Sequence, residues 1–112
     1  MDMRYRYPAE KLNAARRALM APHPKGEPDS FAHALHEFDH GLRGLKPDDL
    51  DDNARGWVAT IRRIMDTTGV HDPQGRGTAL VKAETLSIDD KFKFSGAVDE
   101  LAHWFDSKFT GA

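Results

Sequence analysis

The chain of 112 residues contains no cysteine, so disulfide bonds, thiolate metal sites and cysteine nucleophiles are excluded. It also lacks a strong charge of either sign, with a formal net charge of -2 at pH 7. A chain without an overall basic field can engage nucleic acid or an anionic membrane only through a local patch, and neither partner is favoured. Long apolar runs are missing too: no segment approaches the ~20 residues that span a bilayer, and the N-terminus lacks the apolar core of a signal peptide. We therefore expect a soluble, cytoplasmic protein.

What the sequence does contain is a balanced mixture of side chains, 30% charged and 39% hydrophobic, which is typical of a globular protein. The length fits one domain over residues 1–112, with room for at most one functional site. No internal repeat and no sustained heptad is visible, so neither a solenoid nor a long coiled coil is expected.

The N-terminal third predicts one helix between two irregular segments. Apolar and basic residues alternate before Pro8, so residues 1–7 are predicted to form a short extended arm or edge strand. Pro8 suits the first turn of a helix, and the strong helix formers after it continue to Met20. Three prolines and a glycine then predict a loop over residues 21–29.

A second helix has the clearest periodicity in the chain. Asp29 or Ser30 is a candidate N-cap, and Gly41 and Gly44 are predicted to end the helix. The apolar stripe recurs at spacings of four, three and four residues: Phe31, Leu35, Phe38 and Leu42.

The C-terminal half predicts two or three more helices. An acidic connector, Asp48 to Asp52, places carboxylates at the positive end of a third helix. Three glycines and Pro73 predict a loop over residues 67–77, and residues 78–86 fit a fourth helix or a strand. Ser87 is a candidate N-cap for a final helix that ends near Asp106. The fold predicted is all-α: a compact bundle of four to five helices, with the second, third and last forming the core and the extended arm packed on it.

One motif suggests chemistry. His36-Glu37-x-x-His40 is the H-E-x-x-H pattern, in which two histidines one helical turn apart bind zinc and the glutamate acts as general base. His33 lies one turn earlier on the same polar face, opposite the apolar stripe. A catalytic zinc site needs a third protein ligand. The candidates are His33, Glu84, Glu100 and His103.

The context of this motif fits a peptidase poorly. The longer form of the motif, with a glycine and a third histidine at fixed offsets, is absent because Arg43 and Lys46 occupy those positions. Asp39 introduces a charge inside the motif, and Gly41 follows it directly. Among six histidines the pattern also arises by chance. A solvated polar face is favoured over a structural or adventitious metal site, and a catalytic zinc site ranks last.

Other features are weaker. Gly75-Arg76-Gly77 before a possible helix resembles an anion-binding turn, although glycines that serve turn geometry are the simpler interpretation. Trp57 and Trp104 are expected at the core or its rim, and would mark a partner-binding surface if exposed. Five helix arginines would form a basic patch if the first and third helices were neighbours, although solvated helix faces are the favoured interpretation: Arg16, Arg17, Arg55, Arg62 and Arg63.

Three functions follow from these features. The leading hypothesis is a small cytoplasmic interaction or regulatory protein that binds another protein, without catalytic activity or cofactor. The alternative is a zinc-dependent hydrolase in which Glu37 is catalytic and His36, His40 and His33 bind the metal. Nucleic-acid binding through the helix arginines is the weaker third. The sequence does not indicate the oligomeric state.

Overall fold

The computed structural model describes residues 1–111, which form five α-helices and two short 3₁₀ turns and contain no strand. The all-α prediction is therefore confirmed. The helices are α1 (Arg6–Met20), α2 (Glu27–Leu42), α3 (Asp52–Ile64), α4 (Thr78–Glu84) and α5 (Ile88–Thr110). The segment over residues 78–86, for which a helix and a strand were both open, is helical over Thr78–Glu84.

The 23-residue helix α5 is the longest of the five helices and, together with α1, organises the packing. Helices α1 and α3 both pack on α5, α2 packs on α1, and α4 packs on α2. The core contains the apolar faces of α2, α3 and α5, and α1 adds Leu12 and Ala15, which are fully buried. In the predicted stripe of α2, Leu35 is only partly buried. The largest fully buried side chains are Phe38, Phe94, Phe105, Leu12, Ile61, Leu101 and Val98. No helix in residues 1–111 has both the length and the apolarity needed to cross a membrane.

The N-terminal segment is helical, so the prediction of an extended arm over residues 1–7 is wrong. Met3–Tyr5 forms a 3₁₀ turn that leads directly into α1. The alternation of apolar and basic residues does not indicate a strand here, because only Tyr5 of the alternating apolar residues Met3, Tyr5 and Tyr7 is buried. The next buried residue, Pro8, follows Tyr5 at helical spacing. Tyr5 Oη donates a hydrogen bond of 2.6 Å to the carbonyl of Asp49, and the Asp2 amide donates to the carbonyl of Phe109 at 3.1 Å.

The loop predicted over residues 21–29 is shorter than expected, because α2 begins at Glu27. Gly26 precedes it with a φ of +96°, a conformation that favours glycine, and Pro28 fits the first turn. Ser30 lies inside the helix, where its Oγ is 2.7 Å from His23 Nδ1, so it is not the cap. Gly41 also lies inside α2, which ends one residue later.

The predicted acidic connector does cap α3. Asp51 Oδ1 accepts a hydrogen bond of 2.9 Å from the Ala54 amide, and Asp51 Oδ2 accepts one of 3.0 Å from Trp104 Nε1. Ser87 caps α5 as predicted, since its Oγ accepts from the Asp90 amide at 3.1 Å. Local polar side chains thus fix where both core helices begin.

We expect Asp51→Ala to destabilise the protein by about 1 kcal/mol at neutral pH, through loss of the N-cap. The hydrogen bond from the Ala54 amide, with that from Trp104, lowers the pKa of Asp51 below its ordinary value. A carboxyl whose pKa is lowered by folding stabilises the protein above its unfolded pKa, about 3.9, and this contribution is lost as the pH falls through the folded value. Urea denaturation of both proteins should therefore show a difference at pH 7 that narrows at low pH. A difference that does not change with pH would contradict an ionised cap.

Candidate functional site

The residues of the H-E-x-x-H motif lie on the outer side of α2, as its periodicity predicts. His33, His36 and His40 are exposed, and Glu37 is half-buried. Lys11 Nζ of α1 lies 3.5 Å from Glu37 Oε2, and His33 Nε2 lies 3.9 Å from Glu37 Oε1. The carboxylate proposed as a general base therefore takes part in the contact between α1 and α2.

The candidate third ligands do not join the two motif histidines. Within residues 1–111, no group of three or more histidine, aspartate or glutamate side chains is arranged to hold a metal ion. Glu84 pairs with Arg76 at 2.6 Å, and Glu100 and His103 line a groove beside α1. The zinc-hydrolase hypothesis thus gains no structural support.

Asp39, the charged residue inside the motif, interacts electrostatically with α3. Partial desolvation raises the pKa of the Asp39 carboxyl, and attraction to Arg62 of α3 acts in the opposite direction, as do His36 and His40. The polar face of α2 is therefore electrostatically linked to α3, one side of which lines a largely apolar groove.

The glycine-rich turn before α4 already binds an anion, the carboxylate of its own Asp72. Asp72 Oδ1 accepts from the Arg76 amide at 3.0 Å, and Oδ2 accepts from the Gly77 amide at 2.8 Å. Gly75 and Gly77 have φ values of +65° and +105°, so both glycines serve the geometry of the turn. These amides are consequently engaged within the loop.

The predicted patch of five arginines does not assemble. Helix α1 packs mainly on α2 and α5, α3 packs on α5, and α1 and α3 share no extensive contact in the described chain. Arg16 forms an ion pair with Asp99 of α5, and Arg55 donates to the carbonyl of Pro47 at 2.9 and 3.2 Å. Arg62 and Arg63 line different grooves. Nucleic-acid binding through a joint surface of these helices therefore gains no support.

A groove between the C-terminal end of α2 and the side of α3 is lined mainly by apolar and cationic side chains. We call it the α2–α3 groove; its volume is about 480 Å³. Its lining combines apolar side chains with three cationic ones and, among the described residues, includes no carboxylate. The lining residues are Leu42, Leu45, Lys46, Pro47, Leu50, Arg55, Val58, Ala59 and Arg62.

The cations of the α2–α3 groove are held in place by different contacts. The guanidinium of Arg55 bonds to the Pro47 carbonyl and lies 3.8 Å from both Asp48 and Asp52. The guanidinium of Arg62 lies over the ring of Phe38, 5.9 Å from its centroid. Within residues 1–111, Arg62 forms no direct ion pair and is attracted to Asp39 only at longer range, whereas Arg55 has two carboxylates close by, so Arg62 is the less neutralised of the two arginines.

A second surface lies at the start of α5. Ile88 and Phe92 are 73% and 74% exposed and stand one turn apart, away from the buried stripe of the same helix. Gly96 continues this face by another turn and is also exposed. We call Ile88, Phe92 and Gly96 the α5 outer face. The sequence contained its signal, because Ile88 and Phe92 are apolar residues outside the inward stripe of α5.

Comparison with known proteins identifies no relative: no family model, no curated protein and no solved structure matches the chain. The fold and these surfaces define the class of the molecule, an all-α protein of five helices in the described residues.

Proposed function

We propose that this chain is a small cytoplasmic interaction protein that binds an acidic, amphipathic segment of another protein in the α2–α3 groove. The observation that carries the proposal is the pairing of an apolar floor with titratable lining residues of a single sign, Lys46, Arg55 and Arg62. The sign of these lining residues is opposite to the net charge of the whole chain, -2, and Asp48 and Asp52 beside Arg55 leave Lys46 and Arg62 as the main cations of the groove.

An amphipathic helix would suit both parts of the groove. Its apolar side chains would contact Leu45, Val58 and Ala59, and aspartate or glutamate residues beside them would face the cationic rim. Contacts to Pro47 and Phe38 already position Arg55 and Arg62. The loss of side-chain conformational entropy on binding would therefore be smaller than for unrestrained arginines. No comparable set of observations supports the hydrolase or nucleic-acid hypotheses.

Selection from a displayed library of random peptides tests this proposal. We expect the enriched peptides to combine large apolar residues with aspartate or glutamate. The affinity of one enriched peptide, measured by fluorescence polarisation, should fall at least ~10-fold for Arg62→Glu, because like charges would then meet. Arg63→Glu is the matched control: it makes the same charge change at the next residue, which lines another groove, and should alter affinity less than ~2-fold.

A second variant tests the apolar part of the groove. Ala59 is exposed and lines the groove, so Ala59→Trp should fill it while leaving the core intact. Peptide affinity should fall with the helical circular dichroism unchanged. Enriched peptides without acidic residues, or binding that survives both Arg62→Glu and Ala59→Trp, would overturn the proposal.

A further inference from the structure

The α5 outer face exposes two large apolar side chains, Ile88 and Phe92, that do not contribute to the core. Phe92 stands between two grooves, one lined by Leu19, Phe31 and Ile88 and the other by Trp57, Thr60 and Gly96. Both grooves also have charged lining residues, among them Glu27 and Lys91 in the first and Lys93 and Glu100 in the second. An exposed aromatic ring beside grooves of mixed polarity is the arrangement of an interface anchor.

Gly96 makes a close approach by another helix possible. A Cβ atom built on Gly96 would meet nothing within 4 Å, so the backbone is open to solvent at this turn. A second helix that crosses α5 at Gly96 would approach its backbone more closely than at a position with a larger side chain. An aromatic ring on that second helix, four residues from the crossing point, would then reach the groove beside Gly96.

The charged residues of α5 that line the groove beside Gly96 differ in sign on its two sides: Lys93 lies on the N-terminal side, and Asp99 and Glu100 lie on the C-terminal side. Lys93 forms an exposed ion pair with Asp89 at 2.9 Å and Asp99 pairs with Arg16 of α1, so Glu100 is the carboxylate of this groove for a cation of a second copy. Two copies of α5 that cross antiparallel at Gly96 would place Lys93 of each copy near Glu100 of the other. A parallel crossing would instead place like charges together.

We propose that the α5 outer face binds a second copy of this chain, with the two α5 helices antiparallel about a two-fold axis near Gly96 and Phe92 of each copy seated in the groove beside Gly96 of the other. Such an interface is isologous: each copy contributes both the anchor and the groove. With one helix pair at its centre, the interface is at the small end of specific contacts, so the dimer is expected to dissociate on dilution.

This proposal is independent of the proposed function. Trp57, Thr60 and Arg63 border the α5 outer face, whereas Val58, Ala59 and Arg62 line the α2–α3 groove. The two surfaces therefore use different sides of α3, so an experiment that contradicts one proposal leaves the other unaffected.

Sedimentation equilibrium over a concentration range of roughly 1 µM to 1 mM tests the dimer. We expect the mean mass to rise from monomer to dimer, and Phe92→Glu to shift the midpoint at least ~10-fold toward higher concentration. Met3→Glu is the control, since Met3 is 59% exposed and its turn packs near the C-terminal end of α5, away from Gly96; its midpoint should not move. A monomer at all concentrations, or a Phe92→Glu protein that dimerises normally, would overturn the proposal.

Charge reversal tests the antiparallel arrangement. Lys93→Glu and Glu100→Lys should each weaken the dimer, because like charges would meet across the two-fold axis. The double variant restores opposite charges and should return the dissociation constant to within ~3-fold of the original value. Additive weakening in the double variant would rule out this pairing.

Discussion

Replacement of Phe94 by alanine is expected to lower the free energy of unfolding by about 3–5 kcal/mol, because it leaves a cavity in the centre of the core. Phe94 is fully buried, and its ring lies 5.3 Å from the ring of Phe31 on α2, centroid to centroid. The substitution thus removes both apolar burial and the main aromatic contact between α5 and α2. Urea denaturation followed by circular dichroism measures the loss.

Phe92→Ala is the matched control for this experiment. The two phenylalanines are two residues apart on α5, yet Phe92 is 74% exposed. We expect Phe92→Ala to change stability by less than ~0.5 kcal/mol when the protein is dilute enough to be monomeric. Equal losses for the two variants would mean that the burial pattern of α5 described above is wrong.

Gly41→Leu is expected to destabilise the protein by about 1–3 kcal/mol, through overpacking between α1 and α2. A Cβ atom at Gly41 would lie 3.0 Å from both Leu12 Cδ2 and Lys11 Cβ, closer than ordinary contact. Further side-chain atoms would force the two helices apart, and Leu12 is fully buried. The melting temperature should therefore fall.

Gly56→Ala provides the comparison for Gly41→Leu. Gly56 is also inside a helix, but a Cβ atom there would meet nothing within 4 Å. Alanine should raise stability by up to ~1 kcal/mol, because it restricts the unfolded chain and favours the helix. A melting temperature of Gly41→Leu at or above that of the parent protein would show that α1 and α2 do not pack closely at Gly41.

The parts of the fold that could be predicted are those specified by neighbouring residues. The stripe of α2 and the caps at Asp51 and Ser87 depend on side chains within one or two helical turns. The N-terminal segment could not be predicted in this way, because its helical course depends on burial of Tyr5 and on a bond to Asp49, 44 residues away. A five-residue alternation carries no information about such a contact.

The same distinction applies to the candidate sites. The motif His36-Glu37-x-x-His40 is local, so its position on one face of α2 was predictable, but the proximity of Lys11 to Glu37 was not. The α2–α3 groove has no sequence signal, because Leu42 and Leu50 are equally good core residues, and only tertiary structure shows that they line an open groove.

The hydrogen bond from the Asp2 amide to the Phe109 carbonyl, 3.1 Å long, places the first and last turns of the described chain side by side. The same helix packing is therefore compatible with a different order of the helices along the chain. A circular permutant that joins these two turns by a short linker and opens the chain within residues 67–77 would keep every helix intact.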